Sequence, residues 1–230
     1  YKWDGNPIEK KTITGSTETV IHVYYVPDET TVRVIYAADK GGTITENVGP
    51  YDIQPVTGNL SNGGGRLPTP TLKVDSGYQF VGWERNDGQT YSDLSDVYSK
   101  LKQETVNAGK YEYTLYQDTT FTAKFEPNKY PYEVHYYLKG TTDTVPGLTD
   151  ETGTAAYGSS LERSPLTAEG YTPVSSDSKN ITIGTEKNEI IFYYTKNSYA
   201  YTVEHYWIGD KDKPFLTDAD ESMTAPYGST

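Results

Sequence analysis

Alternation of apolar and polar residues is the dominant pattern along this chain. Successive side chains of a strand point to opposite faces of its sheet, so such alternation predicts β-strands. The alternating segments are separated by Gly, Pro, Asn and Asp, which are typical of turns. These segments are 19–26, 31–36, 77–83, 111–115, 121–125, 132–138, a short stretch around Leu161, 181–183 and 189–194. We therefore expect a mostly β protein.

Helical periodicity is convincing in one segment. Four apolar residues fall at i, i+3, i+4 and i+7, namely Leu94, Val97, Tyr98 and Leu101. Ser92 or Asp93 is placed to cap a helix that begins there. The sequence thus predicts a helix within 92–103, followed by a hairpin of 111–115 with 121–125. Strand, helix and hairpin in this order indicate an α+β module of β-grasp type, with the helix on one face of a mixed sheet.

The chain also repeats itself. His135-Tyr136 is followed by Tyr157-Gly158-Ser159, and His205-Tyr206 is followed by Tyr227-Gly228-Ser229, with both elements displaced by 70 residues. A third trace relates 20–25 to 189–194. Self-similarity at a fixed period predicts an array of modules.

The register of the repeated strand is open. Matching His135 to His205 requires a shift of 70, whereas matching Val134 to Val203 requires 69. A one-residue slip reverses the buried face of a strand, so we expect a bulge or a small loop difference in one copy.

The repeat predicts four segments. Residues 1–29 form the tail of a preceding module, 30–127 a whole helix-bearing module, 128–197 a second whole module, and 198–230 the start of a further one. We expect both ends of the chain to be cuts in a longer array.

Composition narrows the functional classes. The net charge is −12 and the pI is near 4.7. Like charge repels phosphate backbones and no Lys/Arg cluster is present, so we expect no nucleic-acid partner. Cysteine is absent, which excludes disulfides and thiolate sites. No apolar run approaches the ~20 residues of a membrane span, so we expect no membrane insertion in this segment.

Two motifs resemble known families. Gly77-Tyr78-Gln79-Phe80-Val81-Gly82-Trp83, followed by Thr119-Thr120-Phe121-Thr122-Ala123-Lys124-Phe125, resembles the Listeria–Bacteroides repeat, the B-repeat of internalin-like surface proteins, over about 31–127. Tyr132-Glu133-Val134-His135-Tyr136-Tyr137, Tyr157-Gly158 and Gly170-Tyr171 resemble the mucin-binding-protein (MucBP) repeat over about 130–196, and again from 200.

The resemblance implies a fold and a setting. It implies tandem β-grasp-like modules in an elongated array, within a wall-anchored adhesin of a Gram-positive bacterium. The MucBP family is associated with mucus glycoproteins. It supplies no catalytic residues that can be carried over to this chain.

The three histidines of the chain are candidate metal ligands. Zinc needs three or four ligands that converge within one site. His22, His135 and His205 occur about one module apart, with no histidine pair at i, i+2 or i+4. We therefore expect surface positions on strands and predict no metal site.

A segment rich in acidic residues is a candidate calcium site. It comprises Asp210, Asp212, Asp218, Asp220 and Glu221. A calcium loop of EF-hand type requires alternating oxygen ligands and Gly at its sixth position, which the segment beginning at Asp210 does not supply. We expect a solvated acidic loop.

Two tryptophans differ in their expected roles. Trp83 lies within the motif that builds the core, so packing is expected. Trp207 adjoins Tyr206 near a loop, and aromatic rings stack on sugar faces. Tyr206 and Trp207 are therefore the candidate ligand-binding residues, although cover by a neighbouring module is an equal alternative for Trp207. An intramolecular Lys–Asn isopeptide bond also stays open.

These observations favour a non-catalytic stalk segment of a bacterial cell-wall adhesin, which projects or presents a binding region. The alternative is a module that directly binds mucin glycans or a host glycoprotein such as immunoglobulin, and a glycan-processing enzyme is a remote third option. We predict no catalytic, cofactor-binding or metal-binding residues, an extracellular location, and a monomeric rod.

Overall fold

The computed structural model describes residues 2–3, 15, 21, 23, 25–26, 31–108, 111–209, 211–218 and 223–230. Strands account for 50% of the structure and helix for 2%, which confirms the mostly β prediction. The chain divides into two compact units, Tyr1–Glu126 and Pro127–Thr230. Most of the predicted strand at 19–26 lies outside the described residues.

Among the described residues of the first part of the chain, eleven strands and one short helix form. They are β1 (Lys2–Trp3), β2 (Tyr25–Val26), β3 (Val32–Ala38), β4 (Gly42–Glu46), β5 (Tyr51–Ile53), β6 (Thr71–Val74), β7 (Tyr78–Arg85), β8 (Thr90–Tyr91), α1 (Val97–Lys100), β9 (Gln103–Ala108), β10 (Tyr111–Tyr116) and β11 (Thr119–Pro127).

A five-stranded mixed sheet organises this unit, in the order β5-β3-β11-β7-β8. Its central pair, β3 and β11, is parallel, with Thr119 opposite Val34 and Ala123 opposite Ala38. β5 pairs antiparallel with β3, and β8 pairs antiparallel with β7. The predicted mixed sheet is therefore confirmed. β1–β2, β4–β6 and β9–β10 form separate two-stranded sheets.

One face of the parallel pair forms the core. Along β3, residues alternate between buried and exposed, with Val34 fully buried and Arg33 exposed. Phe121 of β11 is also fully buried. Its ring stacks on Tyr36 with centroids 6.3 Å apart and meets the ring of Tyr91 edge to face at 6.0 Å. Burying a side chain of this size stabilises the fold by about 1.5–3 kcal/mol.

The predicted helix forms only in part. Leu94, Val97 and Leu101 are all buried, as their spacing indicates, but the helix spans four residues, Val97–Lys100. The Asp93 carboxylate accepts hydrogen bonds from the N–H and hydroxyl of Ser95, which holds a turn before the helix instead of capping it. The prediction of a longer helix capped by Ser92 or Asp93 is therefore wrong.

The predicted hairpin has a different partner. β10 pairs antiparallel with β9, with Tyr116 opposite Gln103, rather than with β11. β11 instead lies between β3 and β7. The chain leaves one sheet and enters another at residues 117–118, where a hairpin turn was expected.

The described part of the second unit contains ten strands. They are β12 (Lys129–Leu138), β13 (Glu151–Ala156), β14 (Ser160–Arg163), β15 (Tyr171–Pro173), β16 (Lys179–Thr182), β17 (Glu189–Lys196), β18 (Ser198–Ala200), β19 (Val203–His205), β20 (Leu216–Asp218) and β21 (Thr224–Pro226). β12, β13, β15 and β17 build a four-stranded sheet in the order β13-β12-β17-β15. β14–β16, β18–β21 and β19–β20 are two-stranded.

Both modules share a topological core. In the second, β12 and β17 are parallel, with Val134 opposite Ile190 and Tyr136 opposite Phe192. The flanking strands β13 and β15 are antiparallel to this pair. In each module the first long strand and the last one are thus parallel neighbours at the centre of the sheet, which is the arrangement expected of a β-grasp-like module.

Tyr227 completes the hydrophobic core of the second unit. Its ring meets Tyr171 edge to face at 6.0 Å, and its N–H donates to the carbonyl of Asn197. Gly170 lies directly beneath this ring, with φ of 75°. A Cβ on Gly170 would overlap the Tyr227 ring, so only glycine permits this approach.

Strand pairing resolves the register of the repeat. Tyr130 pairs with Ala155 in the first copy, and Tyr199 pairs with Ala225 in the second. The first strand of the repeat is therefore displaced by 69 residues between the copies, and the strand that pairs with it is displaced by 70. The turn glycines Gly140 and Gly209, both with positive φ, also keep the shift of 69.

The two His-Tyr dipeptides therefore do not occupy equivalent positions in the two copies. The N–H of Val145 donates to the carbonyl of Tyr136, and the N–H of Phe215 donates to that of His205. His205 therefore occupies the position of Tyr136 rather than that of His135. The extra residue of the second copy lies in the loop that precedes Phe215, which is the small loop difference that the sequence left open.

Candidate functional site

An aromatic cluster surrounds the two predicted ligand-binding residues. Tyr206 and Trp207 directly follow β19, and Phe215 directly precedes β20. Pairing of these strands brings Trp207 onto Phe215, with ring centroids 4.8 Å apart and an interplanar angle of 28°. We call Tyr206, Trp207, Ile208 and Phe215 the Trp207 patch.

The Trp207 patch is open to solvent. Trp207 is 68% exposed, and Ile208 is fully exposed. The hydroxyl of Tyr206 donates to the Glu204 carboxylate at 2.6 Å, and this hydrogen bond raises the pKa of Tyr206. Exposed apolar patches with a polar rim are typical of contact surfaces. Flat aromatic faces beside a carboxylate suit a ligand with both apolar faces and hydroxyl groups, such as a sugar.

Trp83 has the packing role that the sequence predicts. It is 4% exposed and meets Tyr36 and Phe80 edge to face. The preceding Gly82 has φ of 145°, and a Cβ there would lie 2.8 Å from the carbonyl oxygen of Tyr91. Gly82 is therefore required for close approach of β7 to β8. A recess of about 250 Å³ opens beside Trp83.

The three histidines lie in different environments. His22 is outside the described residues. His205 is half-buried, with its ring centroid 6.1 Å from that of Phe215. His135 lies among three carboxylates, which the sequence analysis did not bring together.

His135 is held from both ring nitrogens. Nδ1 lies 2.6 Å from Asp150, and Nε2 lies 3.1 Å from Glu133 and 3.3 Å from Glu189. Burial opposes protonation of the ring, but the hydrogen bonds to Asp150 and Glu133 outweigh it, so the pKa of His135 is raised. The ring also stacks on Tyr137 with centroids 5.1 Å apart. We call Glu133, His135, Asp150 and Glu189 the His135 cluster.

A signal for half of this cluster is present in the sequence. Glu133 and His135 are two residues apart on one strand, so they share a face. Glu189 enters because β17 pairs in parallel with β12 and places it opposite Glu133. Asp150 enters from the residue preceding β13. These two placements depend on strand pairing, which spacing along the chain does not reveal.

The acidic run is only partly described. Asp210, Asp220 and Glu221 lie outside the described residues. Asp212 is exposed in the loop before β20, and Asp218 ends that strand. The solvated acidic loop without calcium therefore stays a prediction from the sequence.

Asn188 is the asparagine that is buried among the described residues, and an isopeptide bond would need a buried asparagine. Its amide nitrogen lies 3.0 Å from the carbonyl oxygen of Pro131 and 2.9 Å from that of Glu186. The group is thus engaged with the backbone.

Comparison with known proteins gives no family assignment. No protein-family profile matches the chain, and no curated protein matches it significantly. Among solved structures, it resembles one named Mub-RV, with 14% identity and a TM-score of 0.22, covering 73% of this chain and 98% of that one. A likeness at this TM-score carries no argument about function.

No helix among the described residues is long and apolar enough to cross a membrane.

Proposed function

We propose that this chain is a non-catalytic stalk segment of a bacterial cell-wall-anchored adhesin, where it projects or presents a binding region. The location is extracellular on the cell surface, with anchoring through regions outside this segment. The observation that carries the proposal is the recurrence of one topological core, with parallel first and last strands, in two successive modules.

This topology suits a segment that bears tension. Force that pulls the start of the first strand from the end of the last acts along both strands. All hydrogen bonds between the two strands are then loaded together in shear, and none can break alone. The evenly spaced bonds of a parallel pair distribute such a load along its length. β12 and β17 are paired over six residues, from Glu133–Glu189 to Leu138–Tyr194.

The alternative function is direct binding of mucin glycans or a host glycoprotein such as immunoglobulin. The Trp207 patch favours it, because a stacked Trp–Phe pair exposed to solvent is a ready contact surface. In the stalk proposal, the same patch is covered by a neighbouring module.

A binding experiment separates the two. The whole chain is passed over immobilised mucin, a glycan array and immunoglobulin. The stalk proposal expects no saturable binding tighter than about 1 mM. Saturable binding that Trp207→Ala abolishes, while Leu166→Ala (a change at an exposed apolar residue outside the patch) retains it, would replace the stalk with the binding function. The thermal midpoint of both variants should match that of the parent chain.

A further inference from the structure

The outer face of the second sheet carries a cluster with the geometry of a metal site. Val134 and Tyr136 of β12 are buried, so Glu133 and His135 point to the opposite face. The parallel pairing of β12 with β17 places Glu189 opposite Glu133. Three side chains from two adjacent strands therefore meet above the sheet, on rigid and paired backbone.

The distances between the ligand atoms fit a small divalent cation. Nε2 of His135 lies 3.1 Å from Oε2 of Glu133 and 3.3 Å from Oε1 of Glu189. The three atoms lie within 4.8 Å of one another. Tetrahedral zinc with bonds of about 2.0–2.1 Å requires ligand atoms about 3.3–3.4 Å apart. The 3.3 Å edge matches this and the 3.1 Å edge is slightly shorter. The exposed Glu133 side chain can adjust the shorter edge and the third one.

A second residue holds the imidazole in the form that a metal needs. Oδ2 of Asp150 lies 2.6 Å from Nδ1 of His135, so it fixes the ring's orientation and keeps the proton on Nδ1. A metal ion that displaces the proton from Nε2 would then meet the Nε2 lone pair on the side of the two glutamates. An Asp–His pair behind the coordinating nitrogen is a common feature of zinc sites. His135 is only 12% exposed and is stacked on Tyr137, which further limits ring rotation.

The charge of the cluster is unbalanced without a cation. Even when His135 is protonated, three carboxylates face only one further positive charge, that of Lys187, whose Nζ lies 2.8 Å from Glu189 and whose side chain is 71% exposed. The other oxygen of Asp150, Oδ1, is buried and accepts no hydrogen bond within the described part of the chain. This oxygen adds to the negative charge that a cation bound at the cluster would offset.

We propose that Glu133, His135 and Glu189 bind one divalent transition-metal ion, with zinc as the expected metal, and that Asp150 orients His135 for this role. One nitrogen and two carboxylate ligands suit zinc, and the fourth position is left for water. The ion would join β12 to β17 and, through Asp150, to the start of β13. This site is independent of whether the chain is a stalk or a binder.

The test is calorimetric titration of the metal-free whole chain with zinc chloride. One site per chain is expected. His135→Ala and Glu189→Gln should each weaken binding at least tenfold, and Asp150→Asn about 10–100-fold. His205→Ala is the matched control and should leave binding unchanged. Lys187→Met should preserve or tighten binding, because it removes a competing cation.

A second readout separates ligation from loss of fold. Zinc should raise the thermal midpoint of unit Pro127–Thr230 and leave that of unit Tyr1–Glu126 unchanged. Imidazole ¹⁵N NMR should show a zinc-dependent shift at Nε2 of His135, with Nδ1 protonated. Absence of binding tighter than about 1 mM, or binding that survives His135→Ala, would overturn the proposal and leave a protonated His135 bridging the carboxylates. Glu189→Gln is nearly isosteric, so it tests ligation with the fold retained.

Discussion

Asn188 links a loop to both central strands of the second module. It is 5% exposed and lies immediately before β17. Its side-chain oxygen accepts from the N–H of Gly184 at 2.7 Å, and its amide donates to the carbonyls of Pro131 at 3.0 Å and Glu186 at 2.9 Å. Pro131 belongs to β12, so this side chain joins the loop to the partner strand of β17.

Asn188→Ala should cost about 2–4 kcal/mol of unfolding free energy. Three hydrogen bonds of 2.7–3.0 Å are lost at about 0.5–1.5 kcal/mol each, together with a longer one of 3.3 Å to the carbonyl of Gly184. Asn188→Asp should cost at least as much. The carboxylate can still accept from Gly184, but it cannot donate to the two carbonyl oxygens and is repelled by them. Asn180→Ala is the matched control, because Asn180 is exposed and its side chain bonds only Ser160 in the described contacts.

Hydrogen exchange measured by mass spectrometry is the suitable assay, since it reports on the two units separately. Peptides from β12 and β17 should lose exchange protection equivalent to about 2–4 kcal/mol. The protection of peptides from the first unit should not change. The thermal midpoint of the second unit should fall by roughly 10–25 °C. If Asn188→Ala stayed within about 0.5 kcal/mol of the parent, as Asn180→Ala should, the side chain would have no such linking role.

Two further predictions concern the same unit. Gly170→Ala should displace the Tyr227 ring and remove exchange protection of the Tyr227 amide, whereas Gly147→Ala, with similar positive φ but open space around it, should cost only about 1–2 kcal/mol of backbone strain and keep that protection. Protection of that amide in both variants would refute the packing argument. Hydrogen bonds from Arg163 lower the pKa of Glu151, so its contribution to stability is present above its ordinary pKa near 4.5 and is lost as pH falls through the lowered value. Glu151→Gln should therefore flatten the acid side of the stability–pH curve, and an unchanged curve would contradict this.

Strands with clear alternation were predictable from the sequence. The segment 121–125 lies within β11, and 189–194 lies within β17, because one face of each is buried in a core. β9 is not among the predicted strands, because Gln103–Ala108 is mostly polar and its residues 103–107 are exposed, so no alternation marks it. Its strand conformation comes from pairing with β10 rather than from its own pattern.

The helix shows why spacing and length are separate predictions. The i, i+3, i+7 spacing correctly identified Leu94, Val97 and Leu101 as buried. A single helical turn preceded by the Asp93 turn achieves the same burial, and short polar side chains such as aspartate compete with helix for backbone hydrogen bonds. The periodic pattern fixed the face but not the extent of the helix.

The sites divide in a similar way. Tyr206 and Trp207 were proposed from sequence, and both are exposed, but their stacking partner Phe215 depends on the pairing of β19 with β20. The His135 cluster was not foreseen. Asp150 and Glu189 reach His135 only through the pairing of β13 and β17 with β12, which the spacing of residues along the chain does not show.

The stalk proposal is tested most directly by pulling single molecules of the whole chain from its two ends. Two unfolding events are expected, with contour-length gains of about 31 nm for residues 32–127 and about 20 nm for 129–196. The chain has no native cysteine, so Lys139→Cys with Thr195→Cys provides a second pulling axis that separates β12 from β17 one bond at a time. The account predicts that the second module withstands several-fold higher force from the ends than along this axis. Equal or lower force from the ends would contradict a load-bearing stalk.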